Sequence, residues 1–255
     1  MTTGHLPDLL TGGCSAWPLP ADETCAATAR SSLRAPLKVL DVPDGVADDI
    51  TLAASELATN ALRYGLVGGR TSASSGSPLE LWAYHRSTPT SQLVFKVFDP
   101  NPGWTQPDPA QGGLYTERGR GIAIVEALSS RWGWHQSRSR LSPRPTSGKV
   151  TWFCVPMPRS CTPPRSPHLP ITQAARVLQE HLAARGLNAA RCEHDPQHSF
   201  VMIPGVTISS EPPGTFRWYT HPNGTHHQRP FADLNDVVEA AMHHHEQLLL
   251  ARENL

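Results

Sequence analysis

Between positions 156 and 170 the chain carries Pro156, Pro158, Pro163, Pro164, Pro167 and Pro170, and this run constrains the fold more than any other feature. Each proline fixes φ and removes a backbone donor, so neither a helix nor a central strand can pass through the segment. The chain is therefore read as two units, residues 14–156 and 171–255, with a proline-rich linker over 157–170 and an amino-terminal tail over 1–13. A length of 255 residues suits the division, since domains run to roughly 100 to 200 residues.

Composition excludes more than it suggests. Lys and Arg total 22 against 22 Asp and Glu, so no global field draws the chain to nucleic acid or to an anionic membrane. Cys14, Cys25, Cys154, Cys161 and Cys192 form no C-x-x-C pair, which argues against a disulfide framework and a zinc knuckle. The amino terminus lacks a basic region followed by an apolar run, and no stretch approaches the ~18 apolar residues of a membrane span. The expectation is a soluble cytoplasmic protein with reduced thiols and no direct nucleic-acid or membrane partner.

Periodicity then places the elements. A short strand near Ala16–Leu19 leads to a helix starting near Asp22, with Cys25, Ala29 and Leu33 on one face, and Pro36 is where that helix is expected to end or kink. From Val46 to Tyr64 the apolar residues Val46, Ile50, Ala53, Leu57 and Ala61 recur at helical spacing, and Gly65 supplies a stop. Leu79–His85 and Leu93–Phe98 read as strands, Gly121–Ser129 as a helix, and Trp132–His135 and Val150–Val155 as further strands. Ser137–Ser147 reads as a mobile, basic, Ser- and Pro-rich loop. After the linker come a helix over Ile171–Arg185 with Gly186 at its stop, β-like runs at Phe200–Ile203, Val206–Ile208 and Phe216–Tyr219, and a helix from about Ala232.

Three segments carry chemistry. In Ser55-Glu56-Leu57-Ala58-Thr59-Asn60-Ala61-Leu62-Arg63-Tyr64-Gly65, the spacing of Glu56, Asn60 and Arg63 puts a carboxylate, an amide and a guanidinium on one side of the helix. They suit a base, a magnesium ligand and a phosphate contact, because magnesium needs few protein oxygens when it arrives with ATP phosphates; read alone, they are also an ordinary solvated flank. Phe98-Asp99-Pro100-Asn101-Pro102-Gly103 puts a carboxylate at a strand end, where it can accept from an adenine amino group. Its residues equally make a common turn. Glu117-Arg118-Gly119-Arg120-Gly121-Ile122-Ala123-Ile124-Val125 opens a helix with two glycines, an arrangement that brings backbone N–H groups to phosphate and is by itself also simple loop chemistry.

Taken in this order, the segments resemble the N, G1 and G2 boxes of the GHKL superfamily of ATP-binding domains (gyrase, heat-shock chaperone, histidine kinase, MutL). The resemblance covers about Cys14 to Pro156. Gly119 through Leu128, followed by Arg131-Trp132-Gly133, is most like the anti-sigma factor serine kinases of actinomycetes. It implies a Bergerat fold, a two-layer α/β sandwich, so that the whole chain is α+β with a small α+β unit after the linker. It also implies ATP and Mg²⁺ as cofactors, with Glu56 as general base and Asn60 as the magnesium ligand. Asp99 would read adenine; Gly103, Gly119 and Gly121 would shape the pocket, with Arg63, Arg120 and Ile122 as further nucleotide contacts. Thr105–Arg118, with Gly112 and Gly113, would form the lid.

Two positions depart from the family pattern. Asn101 stands where the G1 box has its first glycine, and asparagine tolerates the positive φ such a turn would use. Val150 stands where the last strand usually has threonine, with Thr151 alternating to the other face. The function implied is an ATP-dependent protein serine kinase of partner switching and transcription regulation, whose partner is a sigma factor or an anti-sigma antagonist. A non-catalytic, nucleotide-dependent interaction module is the alternative. A histidine-kinase catalytic domain working in trans is a third reading; no helix with an obvious phosphoaccepting histidine precedes the boxes, which disfavours autophosphorylation of that type. The C-terminal unit is expected to bind a partner or to make a homodimer. His226-His227 and His243-His244-His245 are read as solvated, without a metal site, since successive helix positions point about 100° apart.

Overall fold

The computed structural model describes residues 9, 13–66, 79–103, 120–161, 169–195, 198–220 and 225–253. The lid segment Thr105–Arg118, Gly119 and linker residues 162–168 lie outside the described residues. The first unit runs β1 (Cys14–Leu19), α1 (Cys25–Val39), α2 (Asp44–Tyr64), β2 (Leu79–Arg86), β3 (Gln92–Asp99), α3 (Arg120–Leu128), β4 (Arg131–Arg138) and β5 (Ser147–Pro156). Its strands pair antiparallel in the order β1-β2-β3-β5-β4, giving the helix-on-sheet sandwich expected.

Alternation along the strands sorts the two faces. Leu79, Leu81 and Ala83 of β2, Leu93, Phe95 and Val97 of β3, and Phe153 and Val155 of β5 turn inward, where they pack with the apolar stripes of α1 and α2 and with Val125 of α3. Phe95 and Phe153 stack at 5.1 Å in this layer. The expected stripe of α1 is buried, but the helix runs through Pro36 and ends at Val39. Asp41, at φ 56°, provides the left-handed turn: its N–H donates to Lys38 O (3.1 Å) and that of Val42 to Leu37 O (3.0 Å). That bond pair is a Schellman cap, with Val42 and Leu37 closing the apolar contact beneath it. The proline therefore sits inside the last turn, and the stop is set by an aspartate.

The second unit runs α4 (Ile171–Ala184), β6 (Ala190–Asp195), β7 (His198–Ile203), β8 (Val206–Glu211), β9 (Thr215–Thr220), β10 (Thr225–Pro230), a 3₁₀ turn (Phe231–Asp233) and α5 (Leu234–Glu253). The strands form an antiparallel meander in the order β10-β9-β8-β7-β6. Ala174, Ala175, Leu178 and Leu182 of α4 meet Val201, Ile208, Phe216 and Trp218 of the sheet and Val237, Val238, Ala241 and Met242 of α5. Gly186, at φ 77°, ends α4 where the sequence predicts. Strands β6 and β10 were not expected, and β10 (Thr-His-His-Gln-Arg-Pro) has no apolar residue to announce it. It is an edge strand, where polar residues are tolerated.

The opposite side of α5 lies against the outer face of the first sheet. That face carries two small apolar clusters, Ala16/Trp82/Phe98/Val150 and Tyr84/Val94/Cys154, among buried polar groups. A carboxylate stripe on and just before α5 meets those groups. Asp233 accepts from the N–H groups of Ser87 (2.6 Å) and Thr88 (3.1 Å). Asp236 accepts from Tyr84 Oη (2.6 Å) and Arg86 (2.5 and 2.8 Å). Glu239 pairs with Arg185, Lys96 (3.4 Å) and Arg140 (3.3 Å) and accepts from Ser137 Oγ (2.9 Å), and Glu246 pairs with Arg138.

Two expectations are corrected at this contact. Segment 137–147 is pinned rather than mobile: Glu80 accepts from Ser139 Oγ and from the Arg140 (2.9 Å) and Leu141 (3.3 Å) N–H groups, while Arg140 and Arg185 lie 5.0 and 5.1 Å from the Trp82 ring. The histidines of α5 are not solvated either. His244 is buried and His243 stands edge-on to His135 at 5.5 Å, because α5 is gripped on two sides. His226 alone of the β10 pair is exposed; His227 is half-buried and stacks on Trp218 at 5.1 Å. Among the described residues, no helix is long and apolar enough to cross a membrane.

Candidate functional site

The polar side of α2 forms the centre of the candidate site. Glu56 and Asn60, one helical turn apart, are half-buried, and Arg63 is exposed beyond them. Gly121, in the first turn of α3, packs directly on the pair: a methyl group there would lie 2.9 Å from Glu56 Oε2 and 3.3 Å from Asn60 Nδ2. The first and third motifs are thus in contact, and only glycine allows that approach without displacing a side chain. Arg120 is exposed at the opening of α3, and Ile122 is half-buried against the inner core.

The second motif joins from the sheet. Gly65 follows α2 with an ordinary φ of −88°, so its role is steric rather than conformational. A methyl group at Gly65 would fall 2.4 Å from Asp99 Cβ, and its absence lets the end of β3 press against the end of α2. Asn101 binds this corner together: its N–H donates to Asp99 Oδ1 (3.0 Å), its Nδ2 to the terminal helix carbonyl of Tyr64 (3.0 Å), and its Oδ1 accepts from the Gly103 N–H (3.1 Å). Asn101 is not among the positive-φ residues, so the expectation that it replaces a glycine by tolerating that conformation is corrected. It acts through side-chain hydrogen bonds, which glycine cannot make. Gly103 is exposed beside it.

Asp99 is buried and receives Lys149 Nζ at 2.8 Å on Oδ1, in register across β3 and β5. Burial raises its pKa above the usual carboxylate value, and the Lys149 ammonium opposes that rise. The register also corrects the reading of β5. Val150 packs with Phe98 and Trp82 on the outer face, while Thr151 pairs with Val97 on the inner face, the face of Asp99. The inner surface therefore keeps a threonine, one position later than expected. Gly148 fixes this register: a Cβ there would fall 2.1 Å from Asp99 O, so only glycine lets β5 approach so closely.

Lys149 and the steric role of Gly65 were missed by sequence reasoning. Lys149 could have been singled out only by aligning β5 against β3, which requires the pairing itself.

A helix offering Glu and Asn to a glycine-opened helix, beside a carboxylate at the end of a central strand, defines the GHKL class of ATP-binding domain. Residues 19–144 match the family model described as histidine kinase-like ATPase domain, and this part of the chain is such a domain. Among solved structures, the chain is similar to the RsbU and RsbW domains of Rv1364c from Mycobacterium tuberculosis, at 19% identity and a TM-score of 0.38, over 60% of this chain and 34% of that one. It is also similar to the histidine kinase domain of the blue-light activated histidine kinase EL346 from Erythrobacter litoralis, at 18% identity and a TM-score of 0.30, over 51% of this chain and 61% of that one. The chain thus spans less than two thirds of either structure. No curated protein matches it.

Proposed function

We propose that the chain binds Mg·ATP on the inner side of the first sheet and phosphorylates a serine of a protein partner, a sigma factor or an anti-sigma antagonist, as a partner-switching kinase. The observation that carries this reading is the seat of Gly121 on Glu56 and Asn60, which puts a helix N-terminus suited to phosphate beside a carboxylate and an amide oxygen. The residues present fit the nucleotide: Asp99 Oδ2 has no hydrogen bond among the described residues and can accept from the adenine amino group. Asn60 would hold the magnesium through its amide oxygen together with phosphate oxygens. Arg63 and Arg120 flank the phosphate end, and Gly103 and Ile122 border the pocket.

Glu56 orients the incoming serine hydroxyl and takes its proton as the oxygen attacks the γ-phosphorus; the bond to the β,γ-bridging oxygen breaks and ADP leaves. Alignment and charge neutralisation supply most of the rate in such transfers. The test is calorimetry with Mg·ATP, then radiolabelled transfer to co-purified native partners by wild type and Glu56→Gln. Binding with transfer that falls about 10²- to 10⁴-fold in Glu56→Gln is expected. Binding of ATP and partner without transfer, and with partner regulation untouched in Glu56→Gln, would replace the kinase by the non-catalytic interaction module. No ATP binding by folded protein would dismiss both.

A further inference from the structure

A polar row crosses the inner face where the nucleotide base would lie. Asp99, Lys149 and Gln136 are aligned in register across β3, β5 and β4. Lys149 is only 5% exposed, and its ammonium donates to Asp99 Oδ1 (2.8 Å) and Asn101 O (2.9 Å). An ammonium has three protons to donate, and the third finds no acceptor among the described residues. Asp99 is complementary: Oδ1 accepts from both Lys149 and the Asn101 N–H, while Oδ2 accepts nothing from the described residues. At the end of the row, Gln136 Oε1 is buried without a partner. What sets the row apart is a donor and an acceptor held side by side by one ion pair, each with a hydrogen bond still to make among the described residues.

We propose that Lys149 is a second base-reading residue, donating its third proton to N1 of adenine while Asp99 Oδ2 accepts from the 6-amino group. This assignment rests on the ATP-binding reading above and deepens it. An open acceptor beside an open donor matches the donor and acceptor that adenine presents along that edge. Guanine or hypoxanthine in the same pose turns a carbonyl oxygen toward the carboxylate and an N–H toward the ammonium. Both contacts become repulsive, and a base that leaves buried partners unpaired is strongly rejected. The ion pair holds the carboxylate in place, so the reading groups are set before the base arrives.

The bland account is that Lys149 merely neutralises a buried carboxylate, and it predicts no dependence on N1. The test is calorimetry on the full chain with Mg·ATP and with 1-deaza-ATP, which carries C–H in place of N1, for wild type and Lys149→Met. Wild type should lose about 10- to 100-fold in affinity on the change of ligand. Lys149→Met should bind the two ligands within about twofold of each other. Equal binding of the two ligands by wild type overturns the assignment without any variant. The wild-type ratio persisting in Lys149→Met overturns it too, because N1 is then read by another group. If wild type binds no ATP at all, the ATP reading falls and takes this assignment with it, whereas ATP binding indifferent to N1 removes this assignment alone.

Discussion

The two faces of the first sheet both bury polar groups and use them in opposite ways. On the outer face, Glu239 is surrounded by Arg185, Lys96, Arg140 and Ser137, and Asp236 by Arg86 and Tyr84. Burial pushes the Glu239 carboxyl upward, but Arg185, Lys96 and Arg140 outweigh it and hold the group well below the usual range. On the inner face, Asp99 Oδ2, the third Lys149 proton and Gln136 Oε1 find no partner among the described residues. A network of ion pairs closed by a second element is an internal joint, although Arg140 Nε and Arg185 Nε lack partners there among the described residues. The open ion pair of Asp99 and Lys149, on the side where Glu56 and Asn60 meet Gly121, is where the nucleotide is proposed to bind.

Removing the hub of the ion-paired face should have the largest effect. Glu239→Ala strands Arg185, Lys96 and Arg140, and breaking a buried ion pair from one side costs about 3 to 5 kcal/mol. Urea denaturation should show that loss. In gel filtration, wild-type halves cut within 157–170 should stay together, and those of the variant should separate. Halves that separate in wild type would mean that the joint contributes little.

Gly65→Ala should cost about 1 to 3 kcal/mol through overpacking, because the methyl group meets Asp99 Cβ at 2.4 Å and the helix end cannot yield cheaply. It should also weaken ATP binding by displacing Asp99. A variant with unchanged melting and affinity would show that the corner is soft.

Acid should undo the ion-paired face in two stages. Burial, with Lys96 adding to it, lowers the His135 pKa to about 3, so the folded protein keeps this ring neutral. Its stabilising share is complete above the unfolded histidine pKa of about 6.5 and is lost as pH falls from there toward the folded value. Asp236 and Glu239 are both held below their ordinary values, so their share is present above the unfolded carboxylate range and is lost beneath it. Stability should therefore decline from pH 6.5 downward and then more steeply in the carboxylate range. His135→Gln should flatten the first stage by up to about 1.4 kcal/mol per pH unit, as read by melting at stepped pH. An unchanged slope would place that proton uptake elsewhere.

The smallest effect on stability belongs to the open face. Asn60→Ala, on a half-buried helix flank, should shift unfolding by no more than about 0.5 kcal/mol while abolishing the gain in ATP affinity that Mg²⁺ provides. A large loss of stability with Mg²⁺ dependence intact would make Asn60 a structural residue.

Much of the first unit was legible before its structure. The stripe of α2 gave that helix to within two residues at its start, Asp44 against Val46, because helical periodicity is information within four residues. The Gly186 stop was equally local. The stop of α1 was not, since Pro36 drew attention from Asp41, whose left-handed turn nothing in its own residue type required. Lys149 was visible as a lysine and invisible as a partner of Asp99, fifty positions away, until β5 was paired with β3. The solvated reading of the α5 histidines failed for the same reason: what covers a helix flank is decided by a sheet far off in sequence.

By itself, then, the sequence determined the elements of the first unit, the buried stripes of α1 and α2 and the three motifs of the ATP-binding class, because periodicity and motif order are written within short windows. Tertiary structure alone decided that Gly121 seats on Glu56 and Asn60, that Thr151 rather than Val150 shares the face of Asp99, and that the carboxylates of α5 close the outer face. Each of these depends on register or on charge pairing between distant segments, where a shift of one residue reverses the face that a side chain presents.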